Sequence, residues 1–416
     1  MKQKHAAAAI DLGATKTTVL VGSSDTEGQT NVEGFGMVES TGFQNGGIGD
    51  IQKVRAGIQE ATRLAEESSG TRILSAIVGI AGEHLRSQNE RGIITIADRN
   101  YPITEEDRER VLEMAGQINI STSQQIIHML PRKFWIEGTE HVADPVGMYG
   151  TRLDAETHII VGAASSIENL RLCVEGAGVK VDGFLPESVA AAKSALTDEE
   201  RMQGVALIDI GASTSSICIY EEGAVSHSAS LALAGEHLTR DLTQVLRCPW
   251  ESAEQLKKTY GVAVSSMTPL EETVEIQAFG NPPEKTIQTR HVAEILQARC
   301  EEILQEIEVE LRRTKTLERI AAGLVLTGGT SSLEGLCQLA SQKLRLPARI
   351  GYPTRFENIP EQFGSPPFAT SIGLLEYALH ESNLSIQNTT KQHSSNIAWG
   401  GVGRRLRDFG KGFLPQ

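Results

Sequence analysis

One short pattern, met twice, limits what this chain can fold into more than any other feature. Ile10-Asp11-Leu12-Gly13-Ala14-Thr15-Lys16-Thr17-Thr18 returns 198 positions later as Ile208-Asp209-Ile210-Gly211-Ala212-Ser213-Thr214-Ser215-Ser216. In each copy an apolar run reaches an Asp, then a turn of small and hydroxyl residues, then a second apolar run (Val19-Leu20-Val21 and Ile217-Cys218-Ile219). The pattern predicts strand, tight turn, strand, with the carboxylate at the mouth of the turn. A turn built this way lets phosphate oxygens approach backbone N–H groups, and the Asp can hold a hydrated Mg²⁺ against the same phosphates. A lone Asp-Leu-Gly is common in ordinary turns. Two related copies, followed by Leu326-Thr327-Gly328-Gly329-Thr330-Ser331-Ser332, are far more specific.

The chain is long enough for two to four domains with sizeable cores, at 416 residues. A formal charge of −14 argues against general nucleic-acid binding. Cys173, Cys218, Cys248, Cys300 and Cys337 form no C-x-x-C pair, which predicts reduced thiols rather than disulfides or zinc. The N-terminal run Ala6–Ile10 is too short for a signal peptide and ends at Asp11, so it reads as the lead-in to a strand. No segment approaches the roughly 18 apolar residues that span a membrane.

Along the chain, a strand over 32–39 and a helix over 51–67 follow the first turn, the helix with Val54, Ile58 and Ala61 at helical spacing. Residues 73–82 read as a buried strand. A smaller α/β module spans 83–161, with strands over 91–96, 125–135 and 152–161 and a helix capped by Thr104 and Asp107. Helices are expected over 165–177 and from Glu187 to Leu196, the second with an Ala-rich stripe suited to close packing. Others open at Ala234, close at Tyr260, and run amphipathically from Arg290 to Arg313. Ser331 and Ser332 are expected to cap the helix after the third turn. Phe368–Ala378 forms a second Ala/Gly-faced helix, and 381–396, rich in Ser, Asn, Gln and Thr, reads as a flexible linker.

Trp399, Val402, Leu406, Phe409 and Phe413 then step by 3, 4, 3, 4, within roughly an 80° arc of a helix. Arg404, Arg405, Arg407 and Lys411 fall elsewhere, and residues 391–416 carry a net +4. Residues 397–416 therefore read as an amphipathic helix for an anionic membrane surface, or for a partner's groove.

The two Asp turns and the Gly328-Gly329 turn resemble the two phosphate loops and the adenosine loop of the actin, Hsp70 and sugar-kinase superfamily. Met129-Leu130-Pro131-Arg132-Lys133-Phe134-Trp135-Ile136-Glu137-Gly138 and Asp144-Pro145-Val146-Gly147-Met148-Tyr149-Gly150-Thr151-Arg152-Leu153 look like the inserted domain of the bacterial FtsA cell-division family, and the similarity runs the length of the chain. The resemblance implies an α/β, two-lobed actin-like (ribonuclease H-like) ATPase fold with a small α/β insertion and a C-terminal amphipathic helix. Its implied divisions are 1–82 with 162–196 and 370–380, the insert 83–161, 197–230 with 315–369, and 231–314.

It also implies ATP and Mg²⁺ as cofactors. They would be held by Asp11, Gly13, Ala14, Thr15, Lys16, Asp209, Gly211, Ala212, Ser213, Thr214, Gly235, Glu236, Lys257, Gly328, Gly329 and Thr330, with Asp11 and Asp209 meeting the metal through water. Glu187 and Asp209 are the candidate catalytic pair, Glu187 matching the place where relatives orient the attacking water. A carboxylate at a helix start is also favoured by the dipole alone, a solvated surface lysine is the alternative reading of Lys16, and for Glu236 and Lys257 a plain surface charge is the more common case. The implied partners are the C-terminal tail of FtsZ (at Arg290 and Arg299), further copies of the chain in a filament, other division proteins, and the membrane through Trp399, Val402, Arg405, Leu406, Phe409 and Phe413. The implied place is the cytoplasmic face of the membrane at the division site. Where relatives run Asp-x-Gly-Gly-Gly-Thr-x-Asp, this chain has Ala212, Ser213 and Ser216. These are expected to shift the second loop and weaken hydrolysis, because Ala and Ser tolerate positive φ poorly. A pilus-assembly adaptor and a small-molecule kinase of the same fold are the alternatives.

Overall fold

The computed structural model describes residues 5–24, 30–44, 46–96, 100–138, 140–280, 284–354 and 359–391. The first lobe opens on an antiparallel meander, β1 (His5–Leu12), β2 (Lys16–Ser24) and β3 (Thr30–Glu39), in which Asp11 lies opposite Thr18. The Ala run is β1 itself. A small hairpin, β4 (Phe43–Gln44) and β5 (Gly47–Ile48), precedes α1 (Ile51–Ser69). Asp50 starts that helix by accepting from the N–H groups of Gln52 and Lys53, and Gly70 ends it in the left-handed region. Val54, Ile58, Ala61 and Ala65 form its buried stripe. β6 (Ser75–Ile80) then runs parallel to β1.

The inserted module follows: β7 (Arg86–Thr95), α2 (Glu105–Ala115), β8 (Gln124–Ile136), β9 (Glu140–Val142) and β10 (Arg152–Ala163). Its sheet has the order β7-β10-β8-β9, and Val111 of α2 packs with Phe134 and Leu153 in a separate small core. Thr104 and Asp107 cap α2 reciprocally, each side chain accepting the other's backbone N–H at 3.2 and 3.1 Å. α3 (Ala164–Gly176) and β11 (Lys180–Pro186) complete a first-lobe sheet of order β11-β6-β1-β2-β3, and α4 (Glu187–Ala195) leaves it.

After the short α5 (Asp198–Gln203), β12 (Val205–Ile210), β13 (Ser215–Glu221) and β14 (Ala224–Leu231) repeat the meander, with Asp209 opposite Ser216. A tip made of α6 (Gly235–Leu246), α7 (Trp250–Tyr260), β15 (Thr273–Gln277), β16 (Glu284–Gln288) and α8 (Thr289–Arg313) precedes β17 (Leu324–Thr327), which is parallel to β12. α9 (Leu336–Leu344) and β18 (Ala348–Ile350) close a sheet of order β14-β13-β12-β17-β18. The repeated motif therefore marks a repeated topology: meander, then two parallel strands, in each lobe.

Two readings are corrected. Ser331 and Ser332 sit in a 3-10 turn (Gly329–Ser332), the Ser331 hydroxyl donating to the Gly328 carbonyl, and α9 starts four residues later behind Gly335. A Ser-Ser pair offers two caps, and the tighter local turn takes them. The last helix, α10 (Ala369–Lys391), runs well into the stretch read as linker, because no Gly or Pro interrupts the chain after Gly373 until Gly400. Residues 397–416, with Trp399, Val402, Arg405, Leu406, Phe409 and Phe413, lie outside the described residues. All five cysteines are free, and no described helix is long and apolar enough to cross a membrane.

The two lobes meet where α4 crosses α10. Val189, Ala190, Ala191 and Ala192 are fully buried there with Ala369, Ile372 and Leu375. The approach is so close that a Cβ on Gly373 would lie 1.8 Å from the Ala190 carbonyl oxygen. Ser194 donates to the Ala369 carbonyl at 2.6 Å, and Lys193 pairs with Glu376 at 3.5 Å. This geometry reverses the usual sign of a Gly→Ala change. In α1, Gly57 has only ordinary contacts at 3.9–4.0 Å, so Gly57→Ala should stabilise by about 1 kcal/mol through helix propensity. Gly373→Ala should instead destabilise by about 1–3 kcal/mol. Thermal melts of the two variants should move in opposite directions.

Candidate functional site

Both Asp turns and the Gly328 turn open onto one cleft between the lobes, a cavity of about 550 Å³, within the range of small-molecule and cofactor sites. Asp11, Gly13, Ala14, Thr15 and Lys16 line it from the first lobe, and Asp209, Gly211, Ala212, Ser213 and Thr214 from the second. Gly235, Lys257, Gly328, Gly329 and Thr330 form the far wall, and Glu187 looks in from the start of α4.

The two turns are built alike. A Cβ on Gly13 would stand 3.1 Å from the Lys16 carbonyl oxygen, and one on Gly211 would stand 3.1 Å from that of Thr214. At both positions a side chain would press on that oxygen more tightly than an ordinary contact. Among the described residues, positive φ outside glycine occurs at Glu137, Glu222, Arg247, Lys315 and Arg345, none of them in the second turn. Ala212 and Ser213 are therefore unstrained, and the expected shift of this loop has no backbone cause. The turn is also fastened from outside. Gly211 C=O accepts from the Gly235 N–H (3.1 Å) and the Thr330 hydroxyl (2.8 Å), and Ala212 C=O accepts from the Glu236 N–H (2.7 Å). Gly328, at φ 83°, is a different case: a side chain there would collide with the Asp209 carboxylate, 2.2 Å away.

Asp11, Asp209, Glu187 and Lys16 act on one another within the cleft. Asp11 is buried and accepts from the Ser371 hydroxyl; burial pushes its carboxyl up, opposed by that hydrogen bond and by Lys16. Burial likewise lifts Asp209 to about 6, opposed by the Thr370 hydroxyl donating at 2.7 Å. Glu187 is raised well above the usual carboxylate range by burial and by the neighbouring Asp11 and Asp209. Burial lowers Lys16 to about 8, and its ammonium lies 3.2 Å from the centre of the Phe368 ring. Three acids held against their preference beside one amine make a site where a cation has much to gain. No three His, Cys, Asp or Glu side chains among the described residues converge tightly enough to ligate a metal directly. The carboxylates of Asp11 and Asp209 suit a hydrated ion.

Not every expected residue joins the site as read. Lys16 belongs to the cleft and is no solvated surface charge. Lys257 does too, its ammonium bonded to Glu254 (2.7 Å), Thr239 (2.8 Å) and the Gly235 carbonyl (3.1 Å). Glu236 stands behind the second turn and accepts from the Ser213 hydroxyl at 2.9 Å. Arg290 and Arg299 lie on α8. Arg299 is engaged within the fold: its guanidinium forks onto Asp241 of α6 at 2.6 and 2.9 Å and reaches Glu302 at 2.5 Å. Arg290 has a looser pair with Glu294 at 3.8 Å. Thr370 and Ser371 were not expected in the site. Two adjacent hydroxyls opening an otherwise apolar helix were the available signal. The loop 79–84 and Glu254 also enter the wall unannounced.

The family model described as "Cell division protein FtsA" matches residues 206–373, and that described as "SHS2 domain inserted in FTSA" matches residues 82–161. The cell division protein FtsA of Pseudomonas aeruginosa is 35% identical over 405 residues, covering 97% of each chain. That of Escherichia coli is 31% identical over 383 residues, covering 90% of each. Among solved structures, a PilM–PilN type IV pilus biogenesis complex superimposes with a TM-score of 0.63 at 16% identity, over 90% of this chain and 98% of that one. MreB5 of Spiroplasma citri bound to ADP gives 0.55 at 15%, over 93% and 99%. At such identities these two speak for the fold alone, the two-lobed actin-like fold. Nearly full-length identity above 30% and both family matches carry the remaining step: the chain belongs to the FtsA family of bacterial cell-division proteins.

Proposed function

We propose that this cell-division protein binds Mg·ATP in the interlobe cleft, assembles into filaments, and ties FtsZ filaments to the cytoplasmic face of the membrane through residues 397–416. The observation that carries the nucleotide reading is the convergence of Asp11, Asp209 and the Gly328 turn on one cavity, with Thr370 and Ser371 of a single helix gripping both carboxylates. Bound Mg²⁺ would supply positive charge against the phosphates. Around it, Asp11 and Asp209 would hold its water shell, backbone N–H groups of the two turns would face phosphate oxygens, and Lys16 would add a point charge. Glu187 faces the cleft beside both Asp residues, where burial and their charges raise its carboxyl well above the usual range. We read the protein as at most a slow ATPase that acts mainly as a scaffold.

For the tail, five large apolar side chains would each gain roughly 1.5–3 kcal/mol on burial, opposed by helix ordering and about 1 kcal/mol for each of five glycines. Basic residues add about 1 kcal/mol each near anionic lipid. One tail then binds weakly, and a filament carrying many binds firmly.

Three tests follow. Mg·ATP should raise the melting temperature by several degrees, and Asp11→Ala should abolish the shift. Because Asp209 has its folded pKa raised from 3.8 to about 6, its contribution to stability is full below about pH 4 and lost as pH rises through 6. Asp209→Asn should therefore raise the melting temperature of the nucleotide-free protein at pH 7.5, flatten its decline between about pH 4 and 6, and remove the Mg·ATP shift. An unchanged wild-type melt with Mg·ATP would refute the nucleotide reading.

Phe409→Glu, mid-face in the tail, should release the protein from anionic liposomes in co-sedimentation while leaving nucleotide binding intact. Sedimentation like wild type would exclude the tail as anchor. For the acidic FtsZ tail, Arg290→Glu should weaken peptide binding most at low salt. Arg299→Glu should weaken it too, and should also lower thermal stability through the lost fork with Asp241. Unchanged peptide titrations for both variants would remove α8 from the binding site.

A further inference from the structure

The inserted module is attached to the first lobe by its chain, yet it also holds on to the second. The two strands that meet, β7 of the module and β14 of the second lobe, are edge strands of their own sheets. Edge strands carry unpaired N–H and C=O groups that must find partners or water. Here no ladder forms, and side chains of β7 take the backbone groups of β14. The Ser87 hydroxyl donates to the Ser228 carbonyl at 2.7 Å and accepts the Ser228 N–H at 3.3 Å, while the Asn89 amide donates to the Ser226 carbonyl at 2.9 Å.

Behind them, buried His158 of β10 joins both sides. Its Nδ1 meets the Asn89 Oδ1 at 2.7 Å and its Nε2 meets the Ser228 hydroxyl at 3.0 Å. With the Asn89 oxygen as acceptor, Nδ1 carries the proton and Nε2 accepts from Ser228, the pattern of a neutral imidazole. Lys133 of β8 adds an ion pair to Glu222, in the β13–β14 turn, at 2.6 Å.

The contact between the two edge strands is polar and side-chain mediated, and it is flanked by a buried apolar cluster in which Leu130 and Ile160 of the module join Tyr220 and Val225 of the second lobe. The face of β14 toward the module is serine at alternate positions, 226, 228 and 230. Beside it lies a void of about 10 Å³ whose walls include Arg86, Glu187 and Ser230 together with Leu85, Ile160 and Pro186, and the buried Ser230 hydroxyl has no hydrogen-bond partner among the described residues. Polar junctions of this kind separate more readily than apolar cores. The contact is also wired to the cleft at both ends. Residues 82–84 line the cavity and the chain enters β7 at Arg86; on the other side the second Asp turn leads through β13 directly into β14.

We propose that the β7–β14 contact is a releasable latch between the lobes, which holds the cleft shut behind its ligand and sets how fast that ligand leaves. With α4 and α10 as the hinge, the lobes can part fully only if Ser87 and Asn89 let go of β14. Anything that pulls the module away would then open the cleft. The exit-rate half rests on the nucleotide reading; the latch itself does not.

The test uses the full-length double variant Ser87→Ala/Asn89→Ala, with Gln88→Ala on the same strand as control. Amide hydrogen exchange of the nucleotide-free protein should speed up over 211–216 and 224–231 in the double variant and stay unchanged in the control. Dissociation of a fluorescent ATP analogue with Mg²⁺, followed by stopped flow, should be about tenfold faster in the double variant, the loss of one or two net hydrogen bonds. If wild type binds no nucleotide, the proposed function falls and exchange still judges the latch. Exchange that matches wild type in both segments overturns the latch. Faster exchange with an unchanged dissociation rate overturns its control of the ligand.

Discussion

Two neighbouring hydroxyls at the start of α10 hold the molecule's two defining carboxylates. Thr370 donates to Asp209 and Ser371 to Asp11, partners 161 and 360 residues apart in the chain. Each Asp sits near the end of a strand in the sheet of its own lobe. What brings the pair to a common cleft is the crossing of α4 over α10, and that crossing exists because Ala190 and Gly373 present no side chain that would keep the backbones apart. The small-residue stripe sets the interhelical distance, the distance sets the angle between lobes, and the angle places Thr370 and Ser371 over both acids. A hinge this tight also moves as a unit. Any change in lobe angle is felt at both carboxylates together.

The duplication explains how one chain builds such a site. Each lobe supplies a meander, a turn whose glycine nearly touches a carbonyl three residues on, and a pair of parallel strands. The lobes diverge in what they add. The first inserts the module between β6 and α3; the second inserts α6 to α8 between β14 and β17. Both additions have their own buried apolar residues, but the module's core is small, gathered around Phe134, Leu153 and Val111. It meets the second lobe through hydrogen bonds and ion pairs, while its Leu130 and Ile160 belong to the buried cluster that also holds Tyr220 and Val225 of the second lobe.

Local features were the legible part of the sequence. Strand, turn and helix patterns depend on neighbours within a few residues, so both Asp turns, the Thr104 capping box and the course of α1 and α8 could be read directly. The cleft lining followed from the motifs. Pairings across elements could not be read, because packing angles specify them and local patterns do not. Nothing near Arg299 announces that Asp241, 58 positions away, will take its guanidinium. Nothing in Ser226-His227-Ser228 announces that β7 will bind it. Helix ends were the other weak point: Ser, Asn and Thr between 381 and 391 lower helix propensity without stopping a helix, and composition alone mistook weak for absent.

The second turn shows how far a motif can depart without losing its geometry. Its glycines are replaced by Ala212 and Ser213 at no conformational cost, since neither position needs a positive φ. The more consequential change is at Ser216, which pairs across the meander with Asp209 and is almost wholly buried. A carboxylate there would stand opposite Asp209, beside a cleft in which burial already holds Asp11, Asp209 and Glu187 above their ordinary range. Each further buried charge raises the others, and every one of them opposes an incoming polyphosphate. With a hydroxyl in its place the second lobe loses a handle on a metal or a water and becomes less repulsive to phosphate. On the nucleotide reading, that exchange favours retention over turnover, which is what a scaffold requires of its cleft.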